Sequence, residues 1–492
     1  MAEVTRSNFE DLLPEIKSRM RTCNFISLDA EYTGLHPEDI KDKNSLFDTP
    51  DQRYVKLRDK VVSKFAICQI GLAFFERSVE NEKEHMVNAY NFFVFPVSFD
   101  AYAKREIISS QVSCINFLTK NDFDFNKYFK QGVPYLNKEK LESVRKYLDV
   151  NRHFMHTCED LDPHYFPKRI EFLSDKDINE IIDRLEGFSK VVKLMQEFKK
   201  PIVGHNMLLD IMLLYHQFVQ ELPSDYFEFK KQVHDLFPSV FDTKATAYGI
   251  ASLRRNQDPD DHILSDTNLF ALYSNVSALL QNTSQPIIIP ENDTYAYHEA
   301  LVLGRTTNLE TGVKTAKCHT AGFDAVVTGV VFLKLGFLAA RPRILPDYRQ
   351  LPHPTLTEIF KRLSSWKDEI NIGRCIIPNI HLSQPDPISK RPDWIKVHPI
   401  PGHTFVDPVA LRGLMVKYGD FEIQVITQGE VIIACGGIGC HRRVLRDLES
   451  KGYRISTVKK PTSSSEIWSC AARCGTAFFV LSIAFLLYYR RR

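Results

Sequence analysis

Short apolar runs, rich in β-branched and aromatic side chains, alternate with polar loops along the first part of the chain. These runs are residues 24–28, 65–75 and 89–95. Runs of this kind, bounded by polar loops, predict strands of one mixed sheet. Residues 136–199 differ, because they are charged and their apolar positions recur at helical spacing from Ile178 to Phe198. We therefore predict an α/β domain that contains a helical insertion at 136–199.

The α/β domain is predicted to continue after the insertion. Two more strands are expected at 202–203 and 240–242. A helix starts near Asn206, whose side chain could cap it. Residues 322–340 are almost wholly apolar, which is typical of a buried helix. The expected fold is a discontinuous domain over 1–135 and 200–340, built as a mixed sheet flanked by helices.

A proline-rich stretch ends this domain, and residues 341–392 are interpreted as a linker with helical parts. Residues 393–459 then alternate strand and helix patterns in the order β-α-β-β-α-β, which predicts a small α+β domain. Three glycines in that domain, Gly436, Gly437 and Gly439, could form a phosphate loop. A turn into the next helix is the better interpretation, because glycine spacing at this density is weak evidence for a phosphate site.

The C-terminal end carries a second long apolar segment. Residues 474–489 contain no charge and no proline, and three arginines follow them. If Arg473 reaches the headgroups, the span extends over 467–489, long enough for a hydrocarbon core of ~30 Å. We predict a single-pass tail anchor at 467–489 behind a flexible linker at 460–466, with the preceding residues facing the cytosol. A buried C-terminal helix is the alternative. A short span with a basic end favours the mitochondrial outer membrane as the location of the anchor. The membrane of the endoplasmic reticulum is the alternative.

Composition excludes some classes of function. Lys and Arg number 63 against 61 Asp and Glu, so the net charge of +2 provides no global attraction to nucleic acid. The ten cysteines include no CxxC pair, which argues against a zinc site or a disulfide framework and fits a reducing compartment. The N-terminal segment lacks the apolar core of a signal peptide.

Four carboxylates and one histidine in three short segments carry the candidate chemistry. They are Asp29, Glu31, Asp210, His319 and Asp324. Residues i and i+2 of a strand point to the same face, so Asp29 and Glu31 could bind one cation together. Asp210 interrupts an apolar run, where an unpaired carboxylate would be costly to bury. A pair of Mg²⁺ ions would account for all four acids, because hard cations prefer oxygen ligands.

This set of residues fits phosphodiester hydrolysis. The reaction needs a deprotonated water and relief of the charge that develops at the phosphate, and two metal ions supply both. The imidazole of His319 can take a proton from the water near neutral pH. Each piece alone is weak, since most Asp-x-Glu pairs are surface residues and most histidines have no catalytic role. Their order, with the first acids on a strand and the others at helix starts, makes the set specific.

The segments that hold these residues resemble the DEDDh 3′→5′ exonucleases, and among them the PARN-type poly(A)-specific ribonucleases. The similar segments, all within 1–340, are FISLDAEYTGL, FAICQIGLAFF, IVGHNMLLD, LFPSVFDTK and HTAGFDA. The resemblance implies an RNase H-like fold in which the four acids bind two Mg²⁺ ions, with Mn²⁺ as a substitute. It also implies that His319 is the general base. The residues expected to contact substrate are Tyr32, Leu35, Asn206 and Lys244.

Two departures from the PARN pattern narrow this expectation. The interval from Glu31 to Asp210 is too short for the additional RNA-binding domain of PARN. The domain at 393–459 resembles a degenerate RRM, because its third strand at 431–435 lacks the aromatic residues on which an RRM stacks bases. We therefore expect that domain to form a packing or partner surface rather than an RNA platform.

The predicted anchor is similar to that of the membrane-anchored PARN-like ribonucleases, a branch associated with trimming of piRNA precursors. The resemblance implies a single-stranded RNA with a free 3′-OH as substrate, a PIWI protein that holds it, and a Tudor-KH scaffold at the lipid bilayer. Two alternatives stay open: a general poly(A)-specific deadenylase and a catalytically silent membrane scaffold. A DNA exonuclease would use the same metal chemistry, and only a contact to the ribose 2′-OH would separate the two.

Overall fold

The computed structural model describes residues 1–96, 107–153, 172–280, 286–291, 319–340, 353–427 and 429–461. The chain divides into two compact units. The first comprises the described parts of Met1–Glu38, Leu57–Asn371 and His381–Pro385, and the second those of Asp39–Lys56, Ile372–Ile380 and Asp386–Arg492. The predicted anchor at 467–489 lies outside the described residues.

A mixed sheet forms the centre of the first unit. Its described strands are β1 (Ala2–Val4), β2 (Phe25–Tyr32), β3 (Ile67–Arg77), β4 (Glu84–Phe93), β5 (Ile202–Gly204), β6 (Val240–Asp242) and β7 (Ile287–Pro290). They are hydrogen-bonded in the order β1-β4-β3-β2-β5-β6, and β7 also pairs with β4. The pairs β2–β3 and β3–β4 are antiparallel, and the other pairs are parallel. The predicted mixed sheet is thereby confirmed.

Helices flank this sheet and continue into the second unit. The described helices are α1 (Phe9–Thr22), α2 (Pro50–Leu57), α3 (Val112–Lys120), α4 (Phe125–Gln131), α5 (Lys138–Val150), α6 (Asp175–Glu186), α7 (Phe188–Phe198), α8 (Leu208–Phe218), α9 (Tyr226–Leu236), α10 (Thr243–Gln257), α11 (Leu269–Leu280), α12 (Ala321–Ala340), α13 (Leu356–Leu363), α14 (Pro408–Met415) and α15 (Ile438–Ser450). Shorter helical turns lie at Ile40–Asp42, Arg58–Val62, Ser364–Trp366 and Val416–Tyr418.

Helices also lie among the strands of the first 135 residues, and their positions were not identified from the sequence. Helix α1 forms there because Phe9, Ile16 and Met20 recur on one helical face and are buried together. Helix α1 also contains Pro14, which has no N–H and so cannot make the backbone hydrogen bond to the carbonyl four residues earlier.

The described residues of the helical insertion form the three helices α5, α6 and α7. Gly187 separates α6 from α7, and its φ of +44° is a conformation that side chains with a Cβ rarely adopt. Phe188, the first residue of α7, lies 5.0 Å from Phe92 of β4 between ring centroids. Helix α7 therefore packs on the sheet, while α5 and α6 form a small core of their own.

Helix α12 is the central helix of the first unit and packs across β2 and β3. Among the described residues it is the one helix long and apolar enough to cross a bilayer, and 89% of its apolar window is buried. Phe332 of this helix lies 5.1 Å from Phe25 and 5.2 Å from Phe241. A fully buried phenylalanine contributes about 1.5–3 kcal/mol to stability. The prediction of a buried helix at this position is confirmed.

The second unit contains a four-stranded antiparallel sheet. The remaining strands in the described part of the chain are β8 (Glu369–Asn371), β9 (Asn379–His381), β10 (Trp394–His398), β11 (Phe421–Thr427), β12 (Glu430–Cys435) and β13 (Arg454–Val458). The sheet order is β11-β12-β10-β13, and α14 and α15 complete the predicted β-α-β-β-α-β succession. Gly437 is the residue before α15, so the glycine cluster is a turn into a helix, as predicted.

Candidate active site

Strand β2 presents the first two acids at the centre of the mixed sheet. Asp29 lies opposite Gly71 of β3, and Glu31 lies opposite Gln69. The two acids share one face because the side chains of a strand alternate. The register shifts after Glu31, so that Tyr32 pairs with Ile67. This β-bulge turns the end of β2 at the point where the acids are presented.

Polar side chains of the sheet hold the first turn of α12 against it. The Ala321 N–H donates to Gln69 Oε1 at 3.0 Å, and the Gly322 N–H donates to Asn91 Oδ1 at 3.0 Å. These bonds satisfy two of the N–H groups that the start of a helix leaves without an internal partner. A Cβ on Gly71 would overlap the Ala321 carbonyl, so only glycine permits this approach. This packing places Asp324 beside Asp29 and Glu31 of β2.

Three of the predicted acids form one cluster. Asp29, Glu31 and Asp324 each offer a carboxylate oxygen, and these oxygens lie within 4.8 Å of one another. Asp210, in the first turn of α8, is not part of that group of three. Its Oδ1 instead accepts a hydrogen bond from the Tyr32 hydroxyl, next to Glu31 on β2. All four acids therefore meet around the end of β2.

The acids perturb one another strongly. Burial, followed by the charges of Asp324, Asp210 and Glu31, raises the pKa of Asp29 well above its usual value. The pKa of Glu31 is raised by burial and by Asp324 and Asp210. Burial raises the pKa of Asp210 and of Asp324 to about 7 in each case. Buried carboxylates that repel one another fit a site for divalent cations, since the cations would offset the charge and take oxygen ligands.

His319 lies on the turn that leads into α12. Its φ of +64° is uncommon outside glycine and reflects the sharp entry to the helix. The backbone N–H donates to Asp324 Oδ1 at 3.3 Å, and Nδ1 lies 4.0 Å from Asp324 Oδ2. The side chain is 39% exposed, which leaves the imidazole accessible from solvent. Two rings lie edge-on to it, Phe117 at 5.0 Å and Phe270 at 5.6 Å, and neither was identified from the sequence.

The residues predicted to contact substrate differ in their burial and in their hydrogen bonds. Tyr32 is half-buried, and its hydroxyl is engaged with Asp210. Leu35 is 37% exposed, and its N–H is held by Gln111 Oε1 at 2.8 Å. Lys244 is half-buried in the first turn of α10. The substrate roles of these residues stay predictions.

The prediction that Asn206 caps the following helix is wrong. Helix α8 begins at Leu208, its N-cap residue is Met207, and the Met207 side chain makes no capping hydrogen bond. Asn206 has a φ of +59° and lies one residue too early to cap the helix. Its side chain is exposed, which leaves its predicted substrate contact as a prediction.

Asp242 was missed in the sequence and supports the turn before α8. This fully buried carboxylate accepts from the N–H of Asn206 at 2.9 Å and of Met207 at 3.2 Å. It also caps α10 by accepting from the N–H of Lys244 at 2.9 Å. Asp242 therefore fixes the backbone that presents Asp210. The only sequence signal is its place as an acid before a helix, which also suits an ordinary cap.

Comparison with protein families adds to this geometry. Residues 4–332 match the model of the CAF1 family ribonucleases. This match covers both the sheet that presents the acids and the start of α12. The chain belongs to the CAF1 ribonuclease family.

Individual relatives extend the likeness beyond the nuclease unit. The chain is 27% identical to the poly(A)-specific ribonuclease PNLDC1 of Mus musculus, over 99% of both chains. It is 25% identical to the pre-piRNA 3′-exonuclease trimmer of Bombyx mori, over 92% of both chains. It is 27% identical to the poly(A)-specific ribonuclease PARN of Danio rerio, over 79% of this chain and 67% of that protein. The predicted class, a PARN-like 3′→5′ exoribonuclease, is confirmed.

The chain also has a similar protein among the solved structures. The Pop2p of S. pombe, in its Mg²⁺- and Mn²⁺-bound form, is 17% identical. The match covers 69% of this chain and 92% of that chain, with a TM-score of 0.35.

Proposed function

We propose that this chain shortens single-stranded RNA from a free 3′-OH, and that its substrates are piRNA precursors held by a PIWI protein. The carboxylate cluster of Asp29, Glu31 and Asp324 carries the proposal for the chemistry. Support for the substrate comes from the silkworm trimmer, whose similarity extends over 92% of both chains. The PARN similarity, in contrast, spans 67% of the zebrafish protein.

The four acids would hold the divalent ions in this proposal. Asp29, Glu31, Asp210 and Asp324 are the ligands, with Mg²⁺ as the cofactor and Mn²⁺ as a substitute. When bound, the ions would lower the pKa of the attacking water and offset the charge of the scissile phosphate. Their charge would also lower the raised pKa values of the acids, so that all four carboxylates are ionised at neutral pH.

Residues of the chain then hold and move the reacting groups. The His319 imidazole takes a proton from the attacking water, and its exposed position gives it access to solvent. A new bond forms between the water oxygen and phosphorus, and the bond from phosphorus to the 3′-oxygen of the remaining RNA breaks. The products are a nucleoside 5′-monophosphate and an RNA one nucleotide shorter with a new 3′-OH. Tyr32 keeps Asp210 in place through its hydroxyl, while Leu35, Asn206 and Lys244 contact the end of the RNA.

A general deadenylase is the second candidate. It is favoured by the names of the mouse and zebrafish relatives, which are both called poly(A)-specific ribonucleases. Initial rates on 5′-labelled A₂₀, U₂₀ and a mixed 20-mer separate the two. A trimmer that takes its substrate from a partner shortens all three at similar rates, whereas a deadenylase prefers A₂₀ by tenfold or more.

The proposal includes delivery of the RNA at a membrane. Residues 467–489 are proposed as the anchor in the mitochondrial outer membrane, with a Tudor-KH scaffold as the recruiting partner. A net charge of +2 provides little general attraction to RNA, so local concentration would replace affinity.

The experiment compares free RNA with RNA loaded on a PIWI protein. Full-length enzyme in liposomes carrying the scaffold should shorten the loaded RNA at least tenfold faster than enzyme lacking 467–492 does. The two enzymes should shorten free RNA at equal rates in detergent. Equal rates on the loaded RNA would contradict delivery by the membrane, and a full-length protein that stays soluble after cell fractionation would contradict the anchor.

A further inference from the structure

Phe270, on the first turn of α11, joins two residues of the α12 entry. Its ring lies 5.6 Å from the His319 ring at an interplanar angle of 77°. The same ring lies 6.3 Å from Phe323 in a stacked arrangement at 19°. Phe323 is buried and directly precedes Asp324. Phe270 therefore packs on both sides of the turn that carries the predicted general base and one predicted metal ligand.

The segment that precedes Phe270 is held by contacts from other elements. Thr267 Oγ1 donates to the Tyr248 hydroxyl of α10 at 3.1 Å. The His205 ring hydrogen-bonds to the backbone of Thr267 and lies 2.9 Å from Thr243 Oγ1. The segment before α11 is thus tied to α10 and to the loop after β5. Phe270 can therefore provide a rigid packing surface rather than a mobile side chain.

The backbone conformation and the exposure of His319 leave its imidazole dependent on neighbouring groups for a fixed orientation. Its backbone is held in a sparsely populated conformation at φ +64°, and its side chain is 39% exposed. An exposed imidazole samples several rotamers unless neighbouring groups restrict it. Aromatic rings prefer the edge-to-face arrangement observed between Phe270 and His319. A ring from a separate helix therefore limits where the imidazole can point.

We propose that Phe270 is a positioning residue that holds the His319 imidazole in its catalytic orientation. This inference rests on the proposed function, in which His319 accepts the proton of the attacking water. Phe270 acts through His319 and not through the RNA. Its removal should therefore lower kcat while KM stays nearly unchanged, because misplacing a catalytic group weakens the transition state and not substrate binding.

A double-mutant cycle on the full-length enzyme tests this role. Phe270→Leu should lower kcat about tenfold with KM within about twofold, and Phe270→Tyr, which keeps the ring, should restore it. His319→Ala should lower kcat by about 10²–10⁴-fold. Adding Phe270→Leu to His319→Ala should cause no further loss. Phe360→Leu is the control, because Phe360 packs against the same core and contacts the rings of Phe25 and Phe241 rather than that of His319.

The outcomes separate the inference from the function on which it rests. An equal loss from Phe270→Leu in both backgrounds, or a raised KM at unchanged kcat, would overturn the positioning role and indicate direct contact with RNA. An equal loss from Phe360→Leu would show that the effect is one of general stability and would also overturn it. A His319→Ala enzyme with wild-type kcat would contradict the proposed general base itself.

Discussion

The Tyr32 hydroxyl donates a hydrogen bond to Asp210 Oδ1, across 178 positions of sequence. This bond connects the end of β2 with the first turn of α8 and brings the fourth acid to the other three. A hydrogen bond to the charged form of a carboxylate lowers its pKa, and here it partly offsets the effect of burial on Asp210. Tyr32 is therefore a support for a predicted metal ligand, whatever contact it makes with RNA.

Replacing Tyr32 with Phe should raise the pKa of Asp210, because the bond that favours the carboxylate is lost. We expect kcat to fall about tenfold at pH 7 and the acidic limb of the pH–rate profile to move to higher pH. Tyr215→Phe is the matched control, since Tyr215 lies on α8 like Asp210 but its hydroxyl bonds to Gln220 and Gln232 instead of an acid of the cluster. A Tyr32→Phe profile that coincides with the wild type would contradict the support of Asp210.

The metal-free protein should lose stability as the pH rises from about 4 to about 7. Burial raises the pKa of Asp210 and Asp324 from 3.8 to about 7, so the folded state binds more protons than the unfolded state in that interval. Stability falls with pH wherever the folded state holds the extra protons. Thermal unfolding in EDTA should give a higher Tm at pH 5 than at pH 7.5, and Mg²⁺ should raise the Tm at pH 7.5. A Tm that rises with pH in EDTA would contradict this account.

Asp29→Asn should make the metal-free protein more stable and the enzyme inactive. The substitution keeps the shape of the side chain and removes a charge that repels three other carboxylates. We expect a Tm in EDTA at pH 7.5 that is higher by about 2 °C or more. Glu76→Gln, at the end of β3, is the control, because its carboxylate accepts from Thr22 outside the cluster. An unchanged Tm would mean that the acids do not repel one another in the folded protein.

Gly71→Ala should disrupt the docking of α12 on β3. The added methyl group would overlap the Ala321 carbonyl and the Gly322 amide, so the start of the helix must shift. We expect a loss of at least tenfold in kcat and about 1–3 kcal/mol in the free energy of unfolding. Gly413→Ala in α14 should be neutral or stabilising, since a Cβ there meets no atom within 4 Å. Full activity of Gly71→Ala would contradict the claim that the close packing of α12 on β3 positions Asp324.

Sequence alone could predict the parts of this site that depend on local periodicity. The shared face of Asp29 and Glu31 follows from the alternation of a strand, and the burial of α12 follows from its almost wholly apolar sequence. The support of the site could not be predicted in this way. Gly71 is required by a backbone that arrives from position 321, and Asp242 accepts from a turn 36 positions earlier. Such contacts are set by tertiary packing, which no short window of sequence contains.

The wrong prediction that Asn206 caps α8 also results from a tertiary contact. Asn206 is a favourable N-cap residue in isolation, but Asp242 already holds the N–H groups of the turn. The chain can then enter α8 one residue later, through Met207. Helix α1 was overlooked because its Pro14 and its many charges obscure the three buried positions that share a face.

The most direct test is digestion of a single-stranded RNA, labelled at its 5′ end and bearing a free 3′-OH, by the full-length enzyme in detergent with Mg²⁺. Asp29→Ala enzyme, shown to be folded by its Tm, is measured in parallel. The account predicts a ladder that shortens from the 3′ end with the wild type, and at least a 10³-fold slower rate with Asp29→Ala. A ladder of equal rate from Asp29→Ala would contradict the assignment of the carboxylate cluster as the catalytic centre.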